Sequence, residues 1–151
     1  MAPSSTKKKV ESYQDLLVWQ KAMDLVVECY QLSRRFPASE LYGLTSQIRR
    51  AAVSVPANIA EGFGRWHSKD FVRFLLNANG SLKEVETHLL ISERLGFLQR
   101  PEMHKAMGLS EELGRMLAAL RHKLGPHREE SLDGSSHYPL PTTHYPLSEI
   151  F

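Results

Sequence analysis

Four long stretches of helical hydrophobic spacing, separated only by short breaks rich in proline and glycine, leave this 151-residue chain few ways to fold. The first stretch runs from about Ser12 or Asp15 to Phe36. Leu16, Trp19, Met23, Val26 and Tyr30 recur along it at steps of three and four. A second seam, Val18, Ala22, Leu25, Cys29, Leu32 and Phe36, lies beside the first. Two adjacent seams make a face wider than one bundle core requires. Such a face suits either a deeply buried helix or one that also meets a neighbouring subunit.

Pro37 ends this helix, because the residue before a proline is pushed out of helical geometry. Ser39 is the expected N-cap of the next one. Leu41, Leu44, Ile48, Ala51, Val55 and Ile59 trace its seam to about Gly62, with a kink expected at Ala52 to Pro56. Ala51, Ala52 and Ala57 are small enough to admit a close neighbour. Gly62 and Gly64 read as breakers, and Ser68 as the cap of a third helix, with Asp70 in its first turn. Phe71, Leu75, Ala78, Leu82, Val85, Leu89 and Ser92 keep a heptad register there, ending at Gly96. A fourth helix starts near Pro101 and carries Met103, Ala106, Ser110, Leu113, Leu117, Leu120 and Leu124, then stops at Gly125-Pro126.

These spans predict an all-α, antiparallel up-down-up-down four-helix bundle over residues 13–124, since short connections force consecutive helices to run in opposite directions. Residues 1–12 form a basic segment expected to be disordered. Residues 125–151 form an acidic tail rich in Pro, Ser and His, also expected to be disordered for want of apolar surface. The tail repeats HYPL at 137–140 and 144–147, either as a docking motif or as low-complexity drift.

Splitting the charge is informative. Residues 1–124 hold 18 Lys and Arg against 13 Asp and Glu, whereas residues 125–151 hold one against four. The folded part is thus modestly basic, which permits contact with a polyanion. No run approaches the roughly 18 apolar residues that span a membrane, and no signal peptide precedes the bundle. A cytoplasmic protein is expected.

Enzymatic chemistry finds little support. One cysteine excludes a disulfide framework and a cysteine-built zinc site. The Glu-x-x-His pair of di-metal bundles is absent. Glu84 and His88 stand four apart without a matching set elsewhere. Gly62-Phe63-Gly64-Arg65 lacks the lysine and hydroxyl of a phosphate loop. No catalytic residue, cofactor or metal is therefore assigned. The remaining chemistry is basic: Arg34, Arg35, Arg49, Arg50, Arg65, Lys69 and Arg73 cluster around the ends between helices one and two and between two and three. Arginine suits phosphate through its bidentate fork, and Arg49, Arg50, Arg65, Lys69 and Arg73 are the expected phosphate contacts. A solvated face laced with ion pairs is the other reading.

The strings YQDLLVWQKA (13–22) and ELYGLTSQIRRAAVSVPANIAEGFGR (40–65), followed by FVRFL (71–75), GSL (80–82), EVET (84–87) and LGF (95–97), resemble one family. These are the four-helix bundle proteins named for reading frames in intervening sequences of bacterial 23S ribosomal RNA genes, and the resemblance covers about residues 13–122. It implies a homopentameric barrel with a central channel, which would turn the wide faces of helices one and three into subunit seams. A branch of the family serves diversity-generating retroelements as the accessory variability protein, binding the reverse transcriptase and RNA or DNA. The resemblance gives Pro56, Asn58, Glu61 and Gly62 no catalytic part, only the shaping of the second helix's kink and exit. The expected function is a non-catalytic scaffold binding nucleic acid through the five basic residues, with a reverse transcriptase as a further partner. The alternative is an oligomeric adaptor that recruits a protein through its helical surfaces or tail.

Overall fold

The computed structural model describes residues 9–65 and 69–124. Within them are four long helices, α1 (Leu17–Ser33), α2 (Leu44–Gly64), α3 (Asp70–Arg94) and α4 (Arg100–Leu124), and no strand. Short 3-10 turns at Tyr13–Asp15 and Ala38–Glu40 precede α1 and α2. Each helix neighbours two others: α1 packs on α2 and α4, and α3 packs on α2 and α4, with α2 against α3 the most extensive seam.

The heptads of α3 and α4 land on the core. Phe71, Leu75, Ala78, Leu82, Val85, Leu89 and Ser92 are all buried, as are the α4 positions from Met103 to Leu120. On α1 only one of the two seams does so. Val18, Ala22, Leu25, Cys29 and Leu32 face inward, while Met23 and Tyr30 of the other seam are exposed and Trp19 and Val26 are half-buried. Both seams are apolar, so hydrophobicity alone does not choose between them. The seam turned toward the other three helices becomes core.

Helix starts differ from the sequence expectation. The α1 segment is interrupted at Leu16, whose extended backbone (φ −72°, ψ 122°) separates the 3-10 turn from the helix. The Ser12 side chain accepts the Gln14 N–H, and Asp15 accepts the Ser12 N–H at 3.1 Å, a reciprocal cap. Val10 ahead of it is already buried, so packing begins before residue 13. Ser39 does not cap α2: it lies inside the 3-10 turn, and Glu40 instead accepts the Leu44 N–H at 2.9 Å. Leu41, placed on the α2 seam by its spacing, is half exposed because it precedes the helix. Helix α2 continues through a buried Pro56.

Gly62 is a packing glycine rather than a breaker. The helix runs past it to Gly64, and a Cβ there would stand 2.8 Å from the Phe71 ring and 2.9 Å from the Phe74 Cβ. Ala51 and Ala52 are buried as expected, but Ala57 faces solvent. Gly96 ends α3 as predicted, with φ +77°. Its N–H donates to the Glu93 carbonyl and the Phe97 N–H to the Ser92 carbonyl, the doubly bonded stop that a left-handed glycine permits. Pro101 falls in the first turn of α4, where Glu102 accepts the Gln99 N–H. Ser68, the HYPL repeats and the rest of the tail lie outside the described residues.

Candidate nucleic-acid interface

The five basic residues do not form one patch. Arg49 and Arg50 are consecutive on α2, so their side chains leave the helix about 100° apart. Arg49 turns toward α1. Its Nε donates to Ser33 Oγ at 2.8 Å, and its guanidinium lies 4.7 Å from the centre of the Tyr30 ring. That arginine is used in joining two helices. Arg50 turns the other way, is exposed, and makes no hydrogen bond or ion pair with a described residue.

Arg65 and Arg73 sit where α2 gives way to α3 and share one acid. Arg65 reaches Asp70 at 3.1 Å and Glu61 at 3.6 Å, and Arg73 reaches Asp70 at 3.3 Å. Both guanidinium groups also lie over the Phe74 ring, at 5.3 and 5.0 Å. Lys69 stands beside them as the residue before α3 and is likewise engaged. Exposed pairs of this kind contribute below about 1 kcal/mol each. They still neutralise charge, so this end of the molecule presents less bare cation than its sequence suggests.

Around Arg50 the structure adds residues that sequence reasoning did not assign. A groove of about 680 Å³ opens between α2 and α3, with Gln47, Arg50 and Ser54 on one side and Lys83, Glu84 and His88 on the other. At its floor Ser81 donates to Ser54 Oγ at 2.8 Å, and the Asn58 amide donates to the same oxygen at 2.9 Å. Lys83 is exposed and bonds Glu86 at 3.1 Å. The signal was available in part: Glu84 and His88, four apart, had to share a helical face. Which face of α2 would meet them was not legible without the packing.

Burial holds His88 below the ordinary histidine value, against the opposing pull of Glu84. The neutral ring is favoured by that burial, and its buried Nδ1 has no partner among the described residues. Cys29 is sealed in the core, where burial, helped by Glu28, pushes its thiol up to about 12. A thiol so placed is a packing group. Among the described residues no three His, Cys, Asp or Glu side chains converge as a metal site. No helix there is long and apolar enough to cross a membrane.

A family model described as 23S rRNA-intervening sequence protein matches residues 14–119, well over half of the chain. The chain belongs to that family. The match takes in every element described above except the last turn of α4 and the residues before Gln14, so the Arg50 groove is part of the 23S rRNA-intervening sequence protein domain. No curated protein matches the chain significantly.

Proposed function

We propose that this 23S rRNA-intervening sequence protein is a non-catalytic scaffold that binds nucleic acid, RNA or DNA, as a ring of five antiparallel bundles. The observation that carries the reading is Arg50, an exposed guanidinium paired with no described residue, at the rim of the α2–α3 groove with Lys83 across from it. An arginine without an internal partner keeps its fork for phosphate. The family's name, which ties its members to ribosomal RNA genes, points to the same class of partner.

Support for assembly comes from the apolar surface that one bundle leaves uncovered. Val27 on α1, Leu41 and Tyr42 ahead of α2, and Leu76 and Leu90 on α3 are each more than two-fifths exposed. Single exposed apolar residues need no explanation, but several on two separate faces suit a ring, in which each subunit meets two neighbours. Five copies of a weak phosphate site would then act together on one strand. A reverse transcriptase as protein partner follows from the resemblance to the retroelement branch; a neighbouring reverse-transcriptase gene with a template repeat would support that assignment.

The test is a gel-shift series with structured RNA and with DNA, run with the oligomer verified by light scattering. Binding at low salt that falls steeply as salt rises is the expected result. An intact oligomer that binds neither at low salt contradicts the proposal.

A further inference from the structure

We propose that the α2–α3 groove seats one unpaired nucleotide of a single strand, with Arg50 on its phosphate and Glu84 reading the hydrogen-bonding edge of its base. The inference rests on the nucleic-acid reading above and adds which part of the ligand the groove takes.

The starting point is a pair of opposite charges that do not meet. Asp70, Glu86 and Glu93 on α3 are each in an ion pair, and Arg49 of α2 is engaged with α1. Glu84 and Arg50 make no ion pair or hydrogen bond with a described residue, although both line the same groove. A bare anion would be opposed by Glu84, and a polyamine or metal cation by Arg50. A ligand that satisfies both carries a negative group at one end and N–H donors at the other. A nucleotide does so, with its phosphate at one end and its base edge at the other.

Three further features fit that occupant. Ser54 Oγ already accepts two hydrogen bonds, from Ser81 and Asn58, so its own proton is left to donate into the groove. Gly80 sits mid-helix on the groove wall, where glycine costs roughly 1 kcal/mol relative to alanine. No neighbour lies within 4 Å of where its Cβ would stand. Gly108 and Gly114 of α4 have equally open surroundings, but of the three only Gly80 lines the groove, where a missing side chain lets a ligand pass close to the α3 backbone. The buried Nδ1 of His88 supplies one more unmet polar atom. The volume, about 680 Å³, lies within the range of small-ligand sites, about 300–1,000 Å³.

The base preference follows from hydrogen-bond geometry. Guanine offers a carboxylate two adjacent donors, N1–H and N2–H, where uracil offers one. In a duplex these donors are already used in pairing, so the site selects unpaired bases.

Fluorescence anisotropy with two labelled ten-nucleotide strands tests this, one all uridine and one carrying two separated guanosines. The wild-type oligomer should bind the second about ten-fold more tightly. Glu84→Ala should bring that ratio to about one while leaving binding of the uridine strand no weaker. Arg50→Ala should weaken both strands alike. Gly80→Ala should weaken both while raising the melting temperature. Equal wild-type affinities for the two strands, or a preference that survives Glu84→Ala, overturns the nucleotide seat and leaves phosphate binding standing. Binding of neither strand, nor of structured RNA, overturns both readings.

Discussion

The α2–α3 seam and the α1–α4 seam join their helices by different means. Across α1 and α4 the rim is closed by charge: Lys21 meets Glu112 at 3.1 Å, Lys105 meets Glu28 at 3.4 Å, and Arg35 meets Glu102. Across α2 and α3, small residues admit the larger side chains of the facing helix. Gly62 stands against Phe71 and Phe74, the buried Ala51 and Ser81 line the groove, and the serine hydroxyls of both helices bond each other. Small side chains let backbones approach, which makes α2–α3 the larger contact. They also fail to fill the outer edge, and a polar groove with two unpaired charges results. The α1–α4 rim is fastened by three ion pairs, whereas Arg50 and Glu84 beside α2–α3 pair with no described residue, and the proposed ligand is placed there for that reason.

The largest effect on stability should come from closing the approach at Gly62. Gly62→Ala places a methyl on Phe71 and Phe74, and a urea titration should show a loss of about 1–3 kcal/mol. On α4, Gly108 and Gly114 have open space around a Cβ. Gly108→Ala or Gly114→Ala should therefore stabilise the chain by up to about 1 kcal/mol. Equal signs at Gly62 and Gly108 would remove the distinction between the seams.

Next in size is the polar floor. Ser81→Ala removes the donor to Ser54, and the expected loss is about 1 kcal/mol. Smaller still is the rim of the other seam. A double-mutant cycle on Lys21 and Glu112, both partly exposed, should give a coupling of about 0.2–1 kcal/mol, weaker in high salt. A coupling several times larger would make the α1–α4 rim the main fastening of the bundle.

The smallest effect is the response of stability to pH. Because burial lowers the His88 value in the folded chain, the unfolded chain takes up that proton first as pH falls through 6.5. Stability from this residue is complete above pH 6.5 and declines below it, down to the folded value. His88→Gln should flatten that part of the pH profile measured by thermal melts. An unchanged slope would show that another group causes it.

Most of the fold was legible because the 3.6-residue period repeats over more than twenty residues in α3 and α4, and such a pattern admits one buried face. What was not legible depends on the neighbour. The two α1 seams are chemically alike until α2 and α4 are placed. Gly62 reads as a breaker until Phe71 and Phe74 of the next helix are seen against it. Arg49 and Arg50 are adjacent and alike in sequence, but one joins two helices and the other faces solvent. Arg65 and Arg73 were identified as cations, and the acid they share lies between them in sequence, but their common stacking on Phe74 needs the folded turn.

Titrating nucleic-acid affinity against salt for three proteins, the wild type, Arg50→Ala and Lys105→Ala, tests the difference between the seams most directly. Arg50→Ala should weaken binding and make the log–log salt dependence shallower, by about one for each phosphate the arginine had neutralised. Lys105→Ala, which removes an equal charge already paired on α1–α4, should leave both affinity and slope near wild type. Equal losses in the two variants, or none in Arg50→Ala, would contradict it.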